Sequence, residues 1–546
     1  MVWISRRHGL AALSGLSWLA GQTEAAEPDS ADSAVTNVAI IGAGAGGSSA
    51  AYHLRKFADE DRLPVNITMF EKNSRIGGRT LTVNALDNPL EPVELGASIF
   101  VQVNSILYSA VDEFGLALAN AGDVDGEIAI WDGEKIRYQQ STSSWKWWNY
   151  AKLFWKYGVA PYKTRKLVHG VIDSFLQMYK APHFPFRSLT QKAEELELTQ
   201  LTSVTGSQFL DENSINPIFA QDIVQASTRV NYATNLAHIH GLETMVSMAP
   251  EGAVQVAGGN WQIFDNMVKH SSAAFHPGTT VTSIKAQQNE NVDATASKYT
   301  VSTQKTGSED PVEAYPTAFD KVIVAGPWQF AGIETPEDLI QPAIDEVPYV
   351  QLHVTLFTST SRLSPEFFNL PPGKEAPTTV LTTMHPDDEA EPGRGAAGTA
   401  GFFSISTQRS VTNHKTSGEE YLYKVFSPTA LDAAFLSKIL GVEVPETITG
   451  KAADGETEAI SWYYPHVFNS YPIEYPRVTF QDPVLRDGLY YTSGIESFIS
   501  TMETSALMGK NVAKLIANEV AGRDSEASGV NEAAETDTSS PLGDEL

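Results

Sequence analysis

Val38 to Leu54 read VAIIGAGAGGSSAAYHL: a short apolar strand, a glycine turn, and a helix opening on small residues. This is the entry unit of a dinucleotide-binding fold. The glycines fall at Gly42, Gly44 and Gly47. The first permits the tight turn, the second lets backbone approach a pyrophosphate, and the third lets the helix lie close on its strand. The helix N-terminus then offers free N–H groups and a partial positive charge to phosphates. Ser48, Ser49, Ala50 and Ala51 continue the helix with side chains small enough for that packing.

A second apolar run, Val65 to Phe70, ends at Glu71, where a carboxylate accepts hydrogen bonds from the two hydroxyls of an adenosine ribose. NAD and FAD both satisfy that pattern. The chain continues Arg75-Ile-Gly77-Gly78-Arg79-Thr80, and Gly-Gly-Arg at this point is characteristic of flavoenzymes. Backbone N–H groups at Gly78 and a bidentate Arg79 fork are expected on the pyrophosphate. Thr279 to Ile284, with Val281 at the nucleotide, and Val322 to Pro327 return the chain to this domain. Near the C-terminus, Gly488 to Glu496 form a strand and a turn through Gly494, followed by a helix through Met502, Ala506, Val512 and Leu515. Such a segment closes the site of two-domain flavoproteins, with Gly494 and Glu496 at the cofactor and the helix N-terminus toward the flavin's pyrimidine edge.

The fold class is therefore α/β. A discontinuous Rossmann-like FAD-binding domain of the glutathione-reductase and amine-oxidase-like kind (35–130, 250–330 and 480–520) is interleaved with an α+β substrate domain (131–249 and 331–479). Residues 140 to 245 read as helices, and 340 to 480 as β-rich runs with loops. Low-complexity stretches occur at Asp388 to Gly401 and in an acidic tail, 523–546, expected to be disordered. The tail's last four residues, Gly-Asp-Glu-Leu, approximate an endoplasmic-reticulum retrieval signal without its basic first residue.

With 42% hydrophobic residues, the 546-residue chain has material for a full core. Its net charge of −28 makes nucleic acid an unsuitable partner. Arg6, Arg7 and His8 precede an apolar stretch from Leu10 to Ala20 and small residues at Thr23-Glu-Ala25, the pattern of a signal peptide (1–25) cleaved near Ala25. The expected route is secretory, ending in a vacuole- or lysosome-like compartment, the endoplasmic reticulum or the extracellular space. The chain has no cysteine, so disulfides and a cysteinyl flavin link are excluded. Asn66-Ile-Thr68 is a glycosylation sequon lying within an expected strand.

From Asn37 to Ala517 the chain resembles the prenylcysteine oxidases, also called prenylcysteine lyases. The resemblance includes the two glycine motifs and Trp155-Lys-Tyr-Gly158, Arg229-Val-Asn-Tyr232, Val256-Ala-Gly-Gly-Asn260 and Tyr491-Thr-Ser-Gly-Ile-Glu496. It implies an FAD-dependent thioether oxidase that frees cysteine from degraded prenylated proteins. In that chemistry the allylic carbon beside sulfur gives up a hydride, water adds, and the adduct collapses to a prenyl aldehyde and cysteine while O2 becomes hydrogen peroxide. Flavin carries the difficult step, so a strong protein base is not required and no catalytic side chain is assigned. The acidic insertions and tail depart from the family pattern. Alternatives within this scaffold are an oxidase of an amine or a biosynthetic intermediate, or a secreted flavoprotein that binds without turnover.

Substrate contacts are expected from Arg229, Asn231, Tyr232 and Tyr464, the arginine fork suiting the cysteine carboxylate, with a structural ion pair as its alternative role. Tyr463, Tyr464 and Pro465 flank the flavin only by the resemblance. His238, His240, His353 and His466 read as structural histidines, and no metal cluster or nucleophile triad is evident. Trp145, Trp147, Trp148, Phe154 and Trp155 interleave with Lys146, Lys152 and Lys156. That stretch suits a packed pocket wall or a peripheral membrane contact.

Overall fold

The computed structural model describes residues 35–120, 126–140, 153–250, 252–287, 298–448 and 458–523. The signal segment, the acidic tail beyond Arg523, and Trp145, Lys146, Trp147, Trp148 and Lys152 lie outside the described residues. Two sheets organise the rest. The first has six strands in the order Val484–Arg486, Leu489–Tyr491, Lys321–Val324, Thr36–Ile41, Val65–Glu71, Ala274–Pro277. All neighbours run parallel except the Val484–Arg486 edge. Val38, Ala39 and Ile40 are fully buried, as the central strand of a sheet covered on both faces must be.

From Thr36–Ile41 the chain passes through the helix Ala45–Asp61 to Val65–Glu71 on one side, and the strand on the other side, Lys321–Val324, comes much later. The end of the first strand is thus a topological switch point, where a crevice opens beyond the carboxyl ends. The helix presses Ala50, Ala51, Leu54 and Ala58 onto the sheet. The last helix, Met502–Val520, crosses it at backbone contact: a Cβ on Gly509 would stand 2.1 Å from the Gly46 carbonyl oxygen. The first and last segments of the fold therefore meet at the crevice.

The second sheet has seven strands in the order Trp462–Pro472, Tyr349–Ser359, Gly418–Ser427, Ser404–Asn413, Thr379–Thr382, Ile128–Trp131, Ile136–Gln140. Its pairs are antiparallel except Thr379–Thr382 with Ile128–Trp131. The chain thus enters this sheet at Ile128, just before the boundary expected at 130. One face buries Phe357, Ile405, Val425 and the helix Ala433–Leu440. Helices from Ala160 to Ser247 pack with Phe264, Phe498 and Leu507 in another core.

Asp388 to Gly401, which reads as low complexity, is built in: Ala396, Ala397 and Ala400 are buried, and Asp388 Oδ1 accepts from the Thr399 N–H at 3.1 Å. No helix among the described residues is long and apolar enough to cross a membrane.

Candidate functional site

Gly42 adopts φ +104°, open to glycine but strained for other residues, and a Cβ on Gly47 would fall 1.9 Å from the Gly42 carbonyl oxygen. Strand, turn and helix can close together only because both are glycine. Glu71 holds the turn from the neighbouring strand: its Oε2 accepts from the Ala43 N–H at 2.8 Å, and its Oε1 from the Asn73 N–H at 2.8 Å and the Asn73 side-chain amide at 2.7 Å. The first helix begins at Gly44 with no side-chain cap and no acidic residue in its first turn. That leaves an anion-receptive end, and Gly42, Gly44, Ala45 and Gly46 line the crevice together with Glu71, Gly78 and Val281.

Arg79 lines the crevice beside Gly78, with its guanidinium already engaged by protein groups. Its Nη2 pairs with Glu496 at 2.7 Å and its Nη1 donates to the Ser470 carbonyl at 2.7 Å. The neighbouring carboxylate holds the guanidinium charged and committed, so Arg79 ties the first nucleotide segment to the last. Tyr349 also donates to Glu496, at 3.0 Å. Gly494 is packed beneath the site, where a Cβ would stand 2.3 Å from the Gln481 carbonyl oxygen, while Thr492, Ser493 and Glu496 reach the crevice. Thr501 caps the last helix, and Thr501 and Met502 line the same space, so this helix N-terminus faces the cavity.

The crevice widens into a cavity of about 1550 Å³. That exceeds the roughly 300–1,000 Å³ of a site for one drug-sized ligand. Its floor is one face of the second sheet. Register places His466, Val354, Phe426, Ser404, Leu381 and Ile130 in a single cross-strand row over six strands, all lining the cavity. A shorter parallel row, Lys424, Ser406, Thr379 and Ile128, lies beside it. Ile99, Ile223, Val230 and Met248 add apolar wall.

Lys424 is a polar cavity residue that sequence reasoning missed. It is buried, its Nζ donates to Ser98 Oγ at 2.7 Å, and it stands 5.0 Å over the Phe426 ring. Burial lowers its pKa, opposed by Glu94, whose own carboxyl is raised by burial while it accepts from Asn260 N–H at 2.6 Å. The available signal was a lysine inside the strand Tyr421-Leu-Tyr-Lys-Val-Phe426.

Of the expected substrate residues, Asn231 and Tyr232 line the cavity, though the Asn231 amide already donates to the carbonyls of Ser227 and Ser247 at 3.0 and 3.1 Å. Arg229 does not reach it. It is 0% exposed, with donors on Thr382 Oγ1, Asn235 Oδ1 and the carbonyls of Ala396 and Ala397 at 2.6 to 3.1 Å. A substrate carboxylate has no access to it, and its hydrogen-bond partners among the described residues are neutral groups rather than a carboxylate. Tyr464 lies off the cavity lining, its ring 5.9 Å from Trp462 and 6.5 Å from His466.

His240 is a buried N-cap, its Nδ1 accepting from the Glu243 N–H at 3.1 Å, and His238 Nε2 sits 2.9 Å from the Ala390 carbonyl. His466 lines the cavity and meets Phe468 edge-on at 4.3 Å, a placement its structural reading did not anticipate. Among the described residues no group of three or more His, Cys, Asp or Glu is placed to hold a metal ion.

A glycine-rich nucleotide half facing a mostly antiparallel sheet across one cavity is the fold of the amine-oxidase-like flavoproteins. Cyclohexylamine oxidase from Brevibacterium oxydans shares the fold, with a TM-score of 0.53 at 15% identity over 89% of this chain and 100% of that one. The family model for prenylcysteine lyase matches residues 140–528, and that for an NAD(P)-binding Rossmann-like domain matches residues 40–114. The chain belongs to the prenylcysteine lyase family. It is 27% identical to farnesylcysteine lyase of Arabidopsis thaliana over 89% of each chain, and 28% identical to prenylcysteine oxidase 1 of Bos taurus over 91% of this chain and 90% of that one. The cofactor is FAD: the crevice offers an uncapped helix end without acidic residues, which suits a pyrophosphate, and the N-terminus of the last helix faces the same cavity.

Proposed function

We propose that the protein oxidises the thioether of a prenylcysteine with O2, giving free cysteine, a prenyl aldehyde and hydrogen peroxide. The observation that carries this reading is the apolar row across the cavity floor in a chain of the prenylcysteine lyase family. Bound FAD supplies a hydride acceptor and passes the electrons to O2. The chain's own residues do the rest. Val354, Phe426, Leu381 and Ile130 seat the isoprenoid, and Lys424, held by Ser98, presents a polar group beside the apolar row. Enclosure of the reacting carbon by this wall holds off water until the carbon is oxidised.

The purified protein is expected to be yellow and to release FAD on acid precipitation. Anaerobic farnesylcysteine is expected to bleach it, and admitted O2 to restore the colour with release of peroxide. Deuterium on the carbon beside sulfur is expected to slow bleaching. Bleaching by short polar amines at the same rate, or a deuterium effect of unity, would transfer the protein to the amine-oxidising alternative.

The residues at 1–25 support entry into the secretory pathway and cleavage near Ala25, and the Asn66 side chain, exposed on its strand, makes its sequon a glycosylation site on that route. Protein recovered from cells then begins just beyond Ala25; an intact Met1 overturns this route.

A further inference from the structure

Among the described residues, the lysines and arginines that line the cavity are Lys72, Arg75, Arg79, Arg409 and Lys424. Arg79 pairs with Glu496 at 2.7 Å and Arg409 with Glu91 at 3.0 Å. Arg75 donates to the Gly78 carbonyl at 2.8 Å within the nucleotide segment, and Lys72 is exposed beside Glu71. Lys424 differs from all four. It is 7% exposed, and among the described residues its ammonium has one acceptor, Ser98 Oγ at 2.7 Å, and no ion pair. Glu94, the carboxylate that opposes the loss of its charge, accepts from the Thr82 hydroxyl at 2.9 Å and the Asn260 N–H at 2.6 Å and does not line the cavity. An ammonium has three N–H donors, and burying a cation with donors to spare is costly unless another group accepts from them.

The neighbours of that ammonium indicate what the group is. Lys424 and Phe426 are two residues apart on the strand Gly418–Ser427, so their side chains leave the same face of the sheet about 7 Å apart. From Phe426 the row crosses three strand steps, through Ser404 and Leu381, to Ile130. At about 4.8 Å per step this lane is roughly 14 Å long. The floor thus offers a cationic position and an apolar lane that begins beside it. A prenylcysteine has the same layout, with an α-carboxylate a few bonds from sulfur and the isoprenoid beyond.

We propose that Lys424, held by Ser98, binds the α-carboxylate of the substrate and so selects free cysteine thioethers over their esters and amides. The inference rests on the thioether-oxidase reading. The carboxylate supplies the acceptors the ammonium lacks and the counter-charge that a buried cation needs. An ester or amide carbonyl supplies an acceptor without the charge, and the bond it makes is weaker. Anchoring the carboxylate here sets sulfur at the head of the lane and the isoprenoid along it.

The test is binding to the holoenzyme, read from its visible flavin spectrum, of a saturated farnesyl-length S-alkyl cysteine, its methyl ester, and the matching S-alkyl cysteamine, which lacks the carboxylate without added bulk. The wild type is expected to bind the acid more tightly than either analogue, by on the order of tenfold to a hundredfold. Lys424→Met is expected to erase that preference by weakening the acid selectively, and Ser98→Ala, which releases the ammonium from its holder, to reduce it in part. A wild type that binds all three alike overturns the assignment whether or not the variants fold. So does a Lys424→Met protein that keeps the preference, or one that loses acid and cysteamine equally. If none of the three binds while an amine bleaches the flavin, the thioether reading falls and the assignment with it; equal binding of all three leaves that reading standing and removes Lys424 alone.

Discussion

Replacing Arg229 by Met is expected to destabilise the protein by about 3 to 5 kcal/mol while leaving the affinity of surviving enzyme for farnesylcysteine nearly unchanged. The guanidinium is fully buried and gathers three elements. Nε and Nη2 hold Thr382 Oγ1 at 3.1 and 3.0 Å, beside the floor residue Leu381; Nη1 holds Asn235 at 2.9 Å; and Nη1 and Nη2 hold the carbonyls of Ala396 and Ala397 at 2.6 and 2.9 Å. Burial pulls the arginine's pKa down, and Asp388 is the charge that opposes this. Met fills much of the space but leaves the Ala397 carbonyl without its donor. Lys is expected to rescue little, since a single ammonium cannot span acceptors arranged for a planar fork.

Denaturant unfolding of the flavin-loaded protein reads the stability loss, and proteolysis between Asp388 and Gly401 reads the loosened loop. A stable Met variant with a large rise in KM would instead restore Arg229 as a substrate contact.

Arg229 also shows where sequence reading stops. The glycine turn was legible because its determinants are local: Gly42, Gly47 and Glu71 lie within one strand–helix–strand unit, and each has a steric or hydrogen-bonding reason to be what it is. The return strands and closing helix were legible from apolar runs bounded by glycine. An arginine in a helix, by contrast, reads as exposed or ligand-binding, because the carbonyls that enclose it come from a distant stretch whose composition reads as low complexity. The Arg79–Glu496 pair was hidden in the same way, joining the two ends of the fold. Lys424 sits in a strand whose two faces are both partly apolar, so alternation alone could not say which side met the cavity. Glu243 and Glu474 belong to a residue type almost never fully buried, and only the packing exposes them as exceptions.

Farnesylcysteine is expected to exceed a dimethylallyl analogue in kcat/KM by a factor on the order of 10² to 10⁴. Burying apolar carbon contributes about 0.8 kcal/mol per methylene-sized group, so each five-carbon unit adds up to roughly 4 kcal/mol, with incomplete burial lowering the return. The cavity has a place to collect it. From Phe426 the floor continues through Leu381 to Ile130, with Ile128, Ile223, Val230 and Met248 around it.

This geometry separates length from chemistry. S-alkyl cysteines of farnesyl length without the allylic double bond are expected to bind but bleach the flavin slowly, because the cation left by hydride loss is poorly stabilised. Leu381→Ser is expected to shrink the advantage of the long chain by about tenfold while leaving the dimethylallyl substrate nearly unaffected, since the short chain does not extend to that residue. Flavin reduction measured directly against chain length checks both. If the short substrate matches the long one, or if Leu381→Ser depresses both equally, the isoprenoid does not lie along the sheet floor. The apolar row would then be packing alone.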